Sequence, residues 1–225
     1  MKINNTFFVL DTETGGLDPE TSSLMQVACV ILKNGEPVCE YQSLVKSKDG
    51  KYLCGEFARK LHGITDEAIN KYGKYPEEII KDLKYIQENL FDGEPMTIVA
   101  HNAAFDISFL KKMFVDAGLE MQSQISQNPY DYNNMFSRNA IDTATMALIL
   151  RLQGKLNFDR CSLDNIIKFY KIPTDSDQRH SALYDAEQAA AAFLCMFDSL
   201  SNQKVFPCDE NNVYDEDFDD SKKMN

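Results

Sequence analysis

The sequence predicts an α/β fold with a five-stranded mixed sheet that begins with antiparallel strands and continues through parallel crossovers. Three apolar, strand-like runs follow one another near the N-terminus, and helical and strand-like patterns then alternate along the chain. The 225 residues are 44% hydrophobic and 26% charged, which is typical of a globular domain with a buried core. We therefore expect one sheet flanked by helices.

The first three strands are predicted over residues 6–10, 24–32 and 37–45. Each run is rich in β-branched, aromatic or other apolar residues, and the first ends in a cluster of turn-forming residues. Asn34-Gly35 separates the second run from the third, and this dipeptide is a strong signal for a β-hairpin. The three strands are therefore expected to form an antiparallel meander.

Apolar residues at three- and four-residue steps predict the helices of the remaining chain. Thr65 and Ser162 precede two of these patterns as capping residues. Residues 120–139 lack periodicity and are predicted to form a long loop that borders the substrate entrance. The expected helices cover 76–90, the segment from Asn102 to just before Gly118, 143–152, 163–170 and 181–200, and short strands are expected at 97–100 and at 140–142, where the chain alternatively runs straight into the next helix.

The net charge of −12 is unevenly distributed along the chain. Residues 209–225 contain seven acidic residues and two lysines, which predicts an acidic, disordered tail at 201–225 after a domain at 1–200. Such a composition argues against a broad basic surface that coats nucleic acid, although it allows an enzyme that grips a strand end through metal ions.

Compartment and redox state follow from what the sequence lacks. No apolar run approaches the roughly 20 residues of a membrane-spanning helix, and no secretory signal is recognisable. The six cysteines include no C-x-x-C pair. We expect a cytoplasmic protein with reduced thiols and no membrane partner.

Acidic residues at strand and helix ends are the candidates for chemistry. Asp11 and Glu13 are two positions apart at the end of the first strand, so both side chains point to one face, where a divalent metal would relieve their repulsion. Two solvated acids at a strand end are the alternative. Asp106 lies in the first turn of a helix. His180 is expected in the loop before the helix that carries Asp185, and an imidazole there is suited to act as a general base at neutral pH.

Taken together and in this order, the motifs resemble those of the DnaQ-like (DEDDh) 3′–5′ exonuclease family, including the proofreading subunit of a bacterial replicative polymerase. The resemblance spans about residues 6–198. Its motifs are Asp11-x-Glu13, Leu61-His62-Gly63-Ile64-Thr65, His101-Asn102-x-x-Phe105-Asp106, Ile141-Asp142-Thr143 and His180-x-x-x-x-Asp185.

The resemblance implies a ribonuclease H-like fold and two-metal hydrolysis of a phosphodiester bond at a 3′ end, which releases nucleoside monophosphates. It implies two divalent ions, Mg²⁺ with Mn²⁺ as a substitute, held by Asp11, Glu13, Asp106 and Asp185. Asp11 would bridge the metals, Glu13 and Asp185 would complete the first, and Asp106 would orient metal-bound water. His180 would take the proton of the attacking water.

The same resemblance indicates where the substrate binds. Thr14 and Gly15 match positions near the terminal nucleotide, and His62 matches a position that lines its pocket. Asn102 is either a residue of this site or a helix cap. Four aromatic residues, which could stack on bases or pack in the core, are Phe105, Tyr130, Tyr132 and Phe136; among the basic residues, Arg179 is a candidate phosphate contact.

The expected partner is the 3′ end of single-stranded DNA, in proofreading or repair. Two alternatives stay open. One is an enzyme similar to ribonuclease T or an oligoribonuclease that trims RNA, since no residue that reads the 2′-hydroxyl can be located in the sequence. The other is a subunit docked on a DNA polymerase, with little activity alone and with the acidic tail as a docking peptide.

Overall fold

A computed structural model of the chain describes residues 5–119, 127–175 and 178–201. A five-stranded sheet with the order β3-β2-β1-β4-β5 forms its centre. The first three strands pair antiparallel, whereas β4 pairs parallel to β1 and β5 parallel to β4. The mixed sheet predicted from the sequence is thereby confirmed. The strands are β1 Thr6–Thr14, β2 Leu24–Lys33, β3 Glu36–Leu44, β4 Ile98–Ala100 and β5 Ile141–Asp142.

Eight helices are found in the described part of the chain. The predicted helices α3, α4, α6, α7 and α8 are all present, and α2 begins after Thr65, whose hydroxyl accepts a hydrogen bond from the Ala68 amide. The short helices α1 and α5 have no separate prediction from the sequence. The bounds are α1 Glu56–His62, α2 Asp66–Tyr72, α3 Pro76–Leu90, α4 Ala103–Asp116, α5 Tyr132–Met135, α6 Thr143–Leu152, α7 Leu163–Tyr170 and α8 Ala182–Ser201.

The β1–β2–β3 meander follows the predicted hairpin but β1 is longer than predicted. Asn34 and Gly35 both have positive φ, +57° and +85°, as the tight turn between paired Lys33 and Glu36 requires. Polar residues after Leu10 suggested a turn. The strand instead continues to Thr14 because β2 supplies a hydrogen-bonding partner at each step.

Residues 131–136 of the predicted 120–139 loop form a capped short helix and a bridge beside the sheet, so the long-loop prediction is wrong for these residues. Residues 120–126 lie outside the described residues. Asp131 caps the four-residue α5, and Phe136 bridges to Met96 beside the sheet. The rings of Tyr132 and Phe136 are buried in the core, which removes both as surfaces for base stacking. Tyr130 is exposed.

Two apolar cores cover the two faces of the sheet. Alternation along β1 sends Phe8 and Leu10 toward the core that contains α3 and α4, and Phe7 and Val9 toward the core that contains α6 and α8. This alternation decides which helix each polar residue at the end of β1 meets.

The five cysteines of the described residues are unpaired, and Cys208 lies outside the described range. A search of the described helices finds none with the length and apolar character needed to cross a bilayer. The predicted acidic tail, 201–225, lies outside the described residues beyond Ser201.

Candidate active site

The carboxyl end of β1 brings three acidic side chains together. Asp11 and Glu13 continue the Phe7–Val9 side of the strand, which faces α8, and Asp185 projects from the first turn of that helix. One carboxylate oxygen from each residue lies within 4.8 Å of the others. Strand alternation predicted the shared face of Asp11 and Glu13, and the family resemblance implied that Asp185 joins them.

Helix α8 reaches β1 closely because its inner face is built from alanine. Ala182, Ala186 and Ala189 are buried against the sheet, and small side chains allow the helix axis to approach the strands. At its start, the Ala182 amide donates to the Gln26 side chain of β2 at 3.3 Å. The first turn, which contains Asp185, is thus fixed above the end of β1.

Asp106 approaches the same strand end from the other face of the sheet. Thr12 points to the α4 side of β1, and its hydroxyl donates to Asp106 Oδ1 at 2.7 Å. Asp106 is almost fully buried in the first turn of α4. Its negative charge raises the pKa values of Asp11 and Glu13 after the larger effect of burial, so the four predicted carboxylates form one electrostatic cluster.

Burial and mutual repulsion disfavour the ionised form of the carboxyl groups in this cluster. Burial is the main cause that raises the pKa of Glu13 from 4.5 to about 8, with repulsion from Asp185 and Asp106 next. Burial also raises the pKa of Asp106 from 3.8 to about 7, although the Thr12 hydrogen bond opposes it. The pKa of Asp11 is raised well above its ordinary value. An all-oxygen, anionic donor set of this kind fits a hard divalent cation.

Asp185 is held by its own loop. Burial raises the pKa of its carboxyl, and Arg179 opposes that shift. The backbone N–H of His180 donates to Asp185 Oδ2 at 3.2 Å. His180 is half-buried and adopts a left-handed conformation, with φ +65°, directly before α8. The predicted placement of His180 in the loop and Asp185 in the first turn is therefore found.

The His101-Asn102 motif meets the Asp142-Thr143 motif at the ends of β4 and β5. His101 Nδ1 lies 3.0 Å from the Thr143 hydroxyl, and the Asn102 backbone N–H donates to Asp142 Oδ1 at 2.9 Å. Asn102 stands at the N-cap position of α4 with φ +62°, but its side chain makes no capping hydrogen bond. The helix-cap alternative for this side chain is therefore wrong, and the side chain is exposed.

Gly15 packs directly against the segment that leads into α1. A Cβ atom at this position would lie 2.0 Å from the Leu53 carbonyl oxygen, so no side chain fits there. The Gly55 amide also donates to the Gly15 carbonyl at 2.8 Å. Next to it, the buried Thr14 uses its hydroxyl to bond the Gly16 carbonyl, which stabilises the turn after β1.

His62, at the end of α1, contacts this same segment. Its Nδ1 accepts a hydrogen bond from the Ile64 amide at 2.9 Å, so the neutral ring carries its proton on Nε2. Nε2 lies 3.7 Å from Cys54 Sγ, and Cys54 adjoins the backbone that covers Gly15. Burial lowers the pKa of His62, which favours this neutral form.

Two residues contribute more to the site than their sequence context indicated. Thr12 lies between two acids in a segment that suggested a turn, but its hydroxyl donates a hydrogen bond to Asp106. Arg179, a candidate phosphate contact, instead lies 3.2 Å from Asp185 Oδ1 and 2.7 Å from Asp164 Oδ1. The Thr12–Asp106 contact has no signal in local spacing because it joins β1 to α4, and the Arg179–Asp164 contact joins the loop before α8 to α7.

Comparisons with known proteins agree with this geometry. A family model described as an exonuclease (RNase_T) matches residues 8–193. The chain is 31% identical over 193 residues to a PolC-type DNA polymerase III of Thermotoga maritima, covering 84% of this chain and 12% of that protein. It is 29% identical over 209 residues to ribonuclease T of Haemophilus influenzae, covering 88% of this chain and 82% of that protein. The chain thus spans about one eighth of its PolC-type relative.

Solved structures support the fold. Exonuclease X in complex with 5′ overhanging duplex DNA has a TM-score of 0.58 at 20% identity, with 88% of this chain and 94% of that chain covered. E. coli exonuclease I in complex with a dT13 oligonucleotide has a TM-score of 0.66 at 18% identity, with 88% and 43% covered. With a family model over most of its length and this fold, the chain belongs to the DnaQ-like exonuclease family.

Proposed function

We propose that the chain is a two-metal-dependent 3′–5′ exonuclease that hydrolyses single-stranded DNA from its 3′ end and releases nucleoside monophosphates. The observation that carries this proposal is the convergence of Asp11, Glu13 and Asp185 oxygens within 4.8 Å, at the carboxyl end of β1. Proofreading or repair is the biological setting that this activity suits.

Asp11, Glu13, Asp106 and Asp185 would hold the two divalent ions, Mg²⁺ with Mn²⁺ as a substitute. The raised pKa values of Glu13 and Asp106 support this assignment, because carboxylates that repel one another gain most from a nearby cation. When bound, a pair of divalent ions supplies charge stabilisation for the attacking and leaving oxygens of a phosphodiester.

His180 would act as the general base. It lies in the loop before α8, and its backbone is tied to Asp185 Oδ2. An imidazole can accept a proton at neutral pH. The attacking water would give its proton to His180 and form the new bond to phosphorus, while the bond from phosphorus to the 3′ oxygen breaks. The products would be a nucleoside 5′-monophosphate and a strand shortened by one nucleotide.

The wall formed by Gly15 and His62 would receive the terminal nucleotide. Gly15 packs its backbone against Leu53, and His62 has a neutral ring whose Nε2 lies 3.7 Å from Cys54 Sγ. Thr14 would fix the turn that carries Gly15. Asn102, exposed at the start of α4, would contact the nucleic-acid strand.

RNA is the alternative substrate, and one observation favours it. Ribonuclease T of Haemophilus influenzae is matched over 82% of its length by 88% of this chain, whereas the PolC-type polymerase of Thermotoga maritima is matched over 12% of its length. The second alternative is a subunit docked on a polymerase, which the name of the PolC-type relatives suggests.

The first test uses 5′-labelled single-stranded DNA and RNA of equal sequence, with Mg²⁺, Mn²⁺ or EDTA. Wild type is compared with Asp185→Ala and with the matched control Asp198→Ala, an exposed acid near the other end of α8. A one-nucleotide ladder from the 3′ end, lost with EDTA and with Asp185→Ala but kept in the control, is expected. The faster polymer identifies the substrate.

The absence of a ladder on both polymers would contradict an autonomous exonuclease and would favour the docked subunit. We propose a domain over residues 1–200 followed by an accessory tail, 201–225. Deleting the tail should leave the rate unchanged if the domain works alone. A docked subunit would lose binding to its polymerase after this deletion.

A further inference from the structure

Arg179 links a carboxylate of the candidate site to a carboxylate outside it. Its Nη1 lies 3.2 Å from Asp185 Oδ1, and its Nη2 lies 2.7 Å from Asp164 Oδ1 in the first turn of α7. The side chains of Arg179 and Asp185 are only 21% and 11% exposed, whereas that of Asp164 is 74% exposed. The guanidinium therefore connects the surface end of α7 to the interior of the site.

The inner contact is electrostatic and is not an aligned hydrogen bond. Nη1 of Arg179 and Oδ1 of Asp185 are both buried and have no hydrogen-bond partner among the described residues. Opposite charges separated by 3.2 Å and shielded from water attract strongly even without ideal alignment. The other oxygen, Oδ2, accepts from the His180 backbone N–H. Contacts on both oxygens restrict the rotation of the Asp185 carboxylate.

We propose that Arg179 is a positioning residue for the metal site, which holds Asp185 in the orientation directed toward Asp11 and Glu13 while Asp164 anchors the guanidinium from outside. The inference rests on the proposed function, since it assigns a role to Arg179 in the metal site named there. Residues that orient a metal ligand typically contribute 10- to 100-fold to metal affinity.

The direction in which metal affinity changes when Arg179 is replaced separates positioning from simple charge repulsion. A guanidinium beside the site repels a divalent ion, so its removal would tighten metal binding if Arg179 acted only through its charge. If Arg179 acts by orienting Asp185, its removal weakens metal binding. Lysine keeps the charge but cannot bridge two carboxylates with a planar fork, so it should restore affinity only partly.

The test measures Mn²⁺ binding to the full chain by the electron paramagnetic resonance signal of free Mn²⁺. Arg179→Gln should weaken Mn²⁺ binding by roughly 10- to 100-fold. Arg179→Lys should fall between this variant and wild type. The control Arg151→Gln, at the end of α6, should bind like wild type. Unchanged or tighter binding by Arg179→Gln would overturn the proposal.

Asp164→Asn tests the anchor. It should weaken Mn²⁺ binding in the wild-type background and add nothing to Arg179→Gln. Equal effects in both backgrounds would refute the link. Urea unfolding in EDTA checks that the variants fold, and if Arg179→Gln does not, the largely exposed Asp164 still carries the test. Failure of the proposed function has another signature, a wild type that degrades neither DNA nor RNA.

Discussion

Glu13→Gln is expected to stabilise the metal-free protein at alkaline pH. Burial and the neighbouring carboxylates raise the pKa of Glu13 from 4.5 to about 8 in the folded chain. A raised folded-state pKa means that the folded protein binds this proton more tightly than the unfolded chain does. The resulting stabilisation is complete below pH 4.5 and is lost as the pH rises through about 8.

The size of the effect follows from linkage. Between these two pKa values the free energy of unfolding falls by about 1.4 kcal/mol for each pH unit, so ionising Glu13 in the folded protein costs roughly 3–5 kcal/mol in all. Glutamine keeps the shape of the side chain but never ionises. In EDTA, the free energy of unfolding should therefore fall less with rising pH in Glu13→Gln than in wild type. Between pH 5.5 and 8.5 the two falls should differ by a few kcal/mol.

Urea unfolding at pH 5.5 and 8.5 in EDTA provides the measurement, and the difference between wild type and variant cancels the contributions of groups that do not interact with Glu13. The repulsion that Glu13 exerts on Asp11 is removed as well, so it belongs to the measured difference. Glu20→Gln, at an exposed glutamate in the turn after β1, is the control and should behave like wild type. Saturating Mg²⁺ at 100 times its dissociation constant should restore about 2.7 kcal/mol to wild type. Equal pH dependence in wild type and Glu13→Gln would refute the reasoning.

Three further substitutions probe contacts around the site. Gly15→Ala should destabilise the fold by about 1–3 kcal/mol in urea unfolding, because its Cβ would lie 2.0 Å from the Leu53 carbonyl oxygen; an unchanged midpoint would show that the segment can move aside. Asp142→Ala removes the side chain that caps α6 and should cost about 0.5–2 kcal/mol by the same measurement, whereas a loss below this range would argue against the cap. Thr12→Val removes the hydrogen bond that lowers the pKa of Asp106, so the acid limb of the pH–rate profile should move to higher pH; identical profiles would contradict this.

Much of the fold was predictable because its signals are local. The Asn34-Gly35 turn and the apolar periodicity of α3, α6 and α7 depend on residues close together in sequence, and the structure has these elements at the predicted positions. The extension of β1 past Leu10 was not predictable in this way. Its polar residues are strand residues only because β2 supplies hydrogen-bonding partners from a distant part of the chain.

Aromatic residues show the same limit. Tyr132 and Phe136 lie in a stretch rich in asparagine and serine, where nothing local indicates burial. Their rings pack with Phe114, 5.4 and 6.1 Å between centroids, because α4 and the segment after it meet beside the sheet. Whether such a ring stacks on a base or fills the core is decided by tertiary packing.

The sequence by itself determined the sheet and the meander, since apolar periodicity and the Asn34-Gly35 turn are local, and strand alternation put Asp11 and Glu13 on one face. Asp106, Asp185 and His180 became candidates through the resemblance of their motifs to a known family. Only the tertiary structure decided how those acids are supported. Thr12 holds Asp106, and Arg179 lies between Asp164 and Asp185. These contacts depend on where β1, α4, α7 and α8 pack against one another. Short-range sequence patterns do not encode this packing.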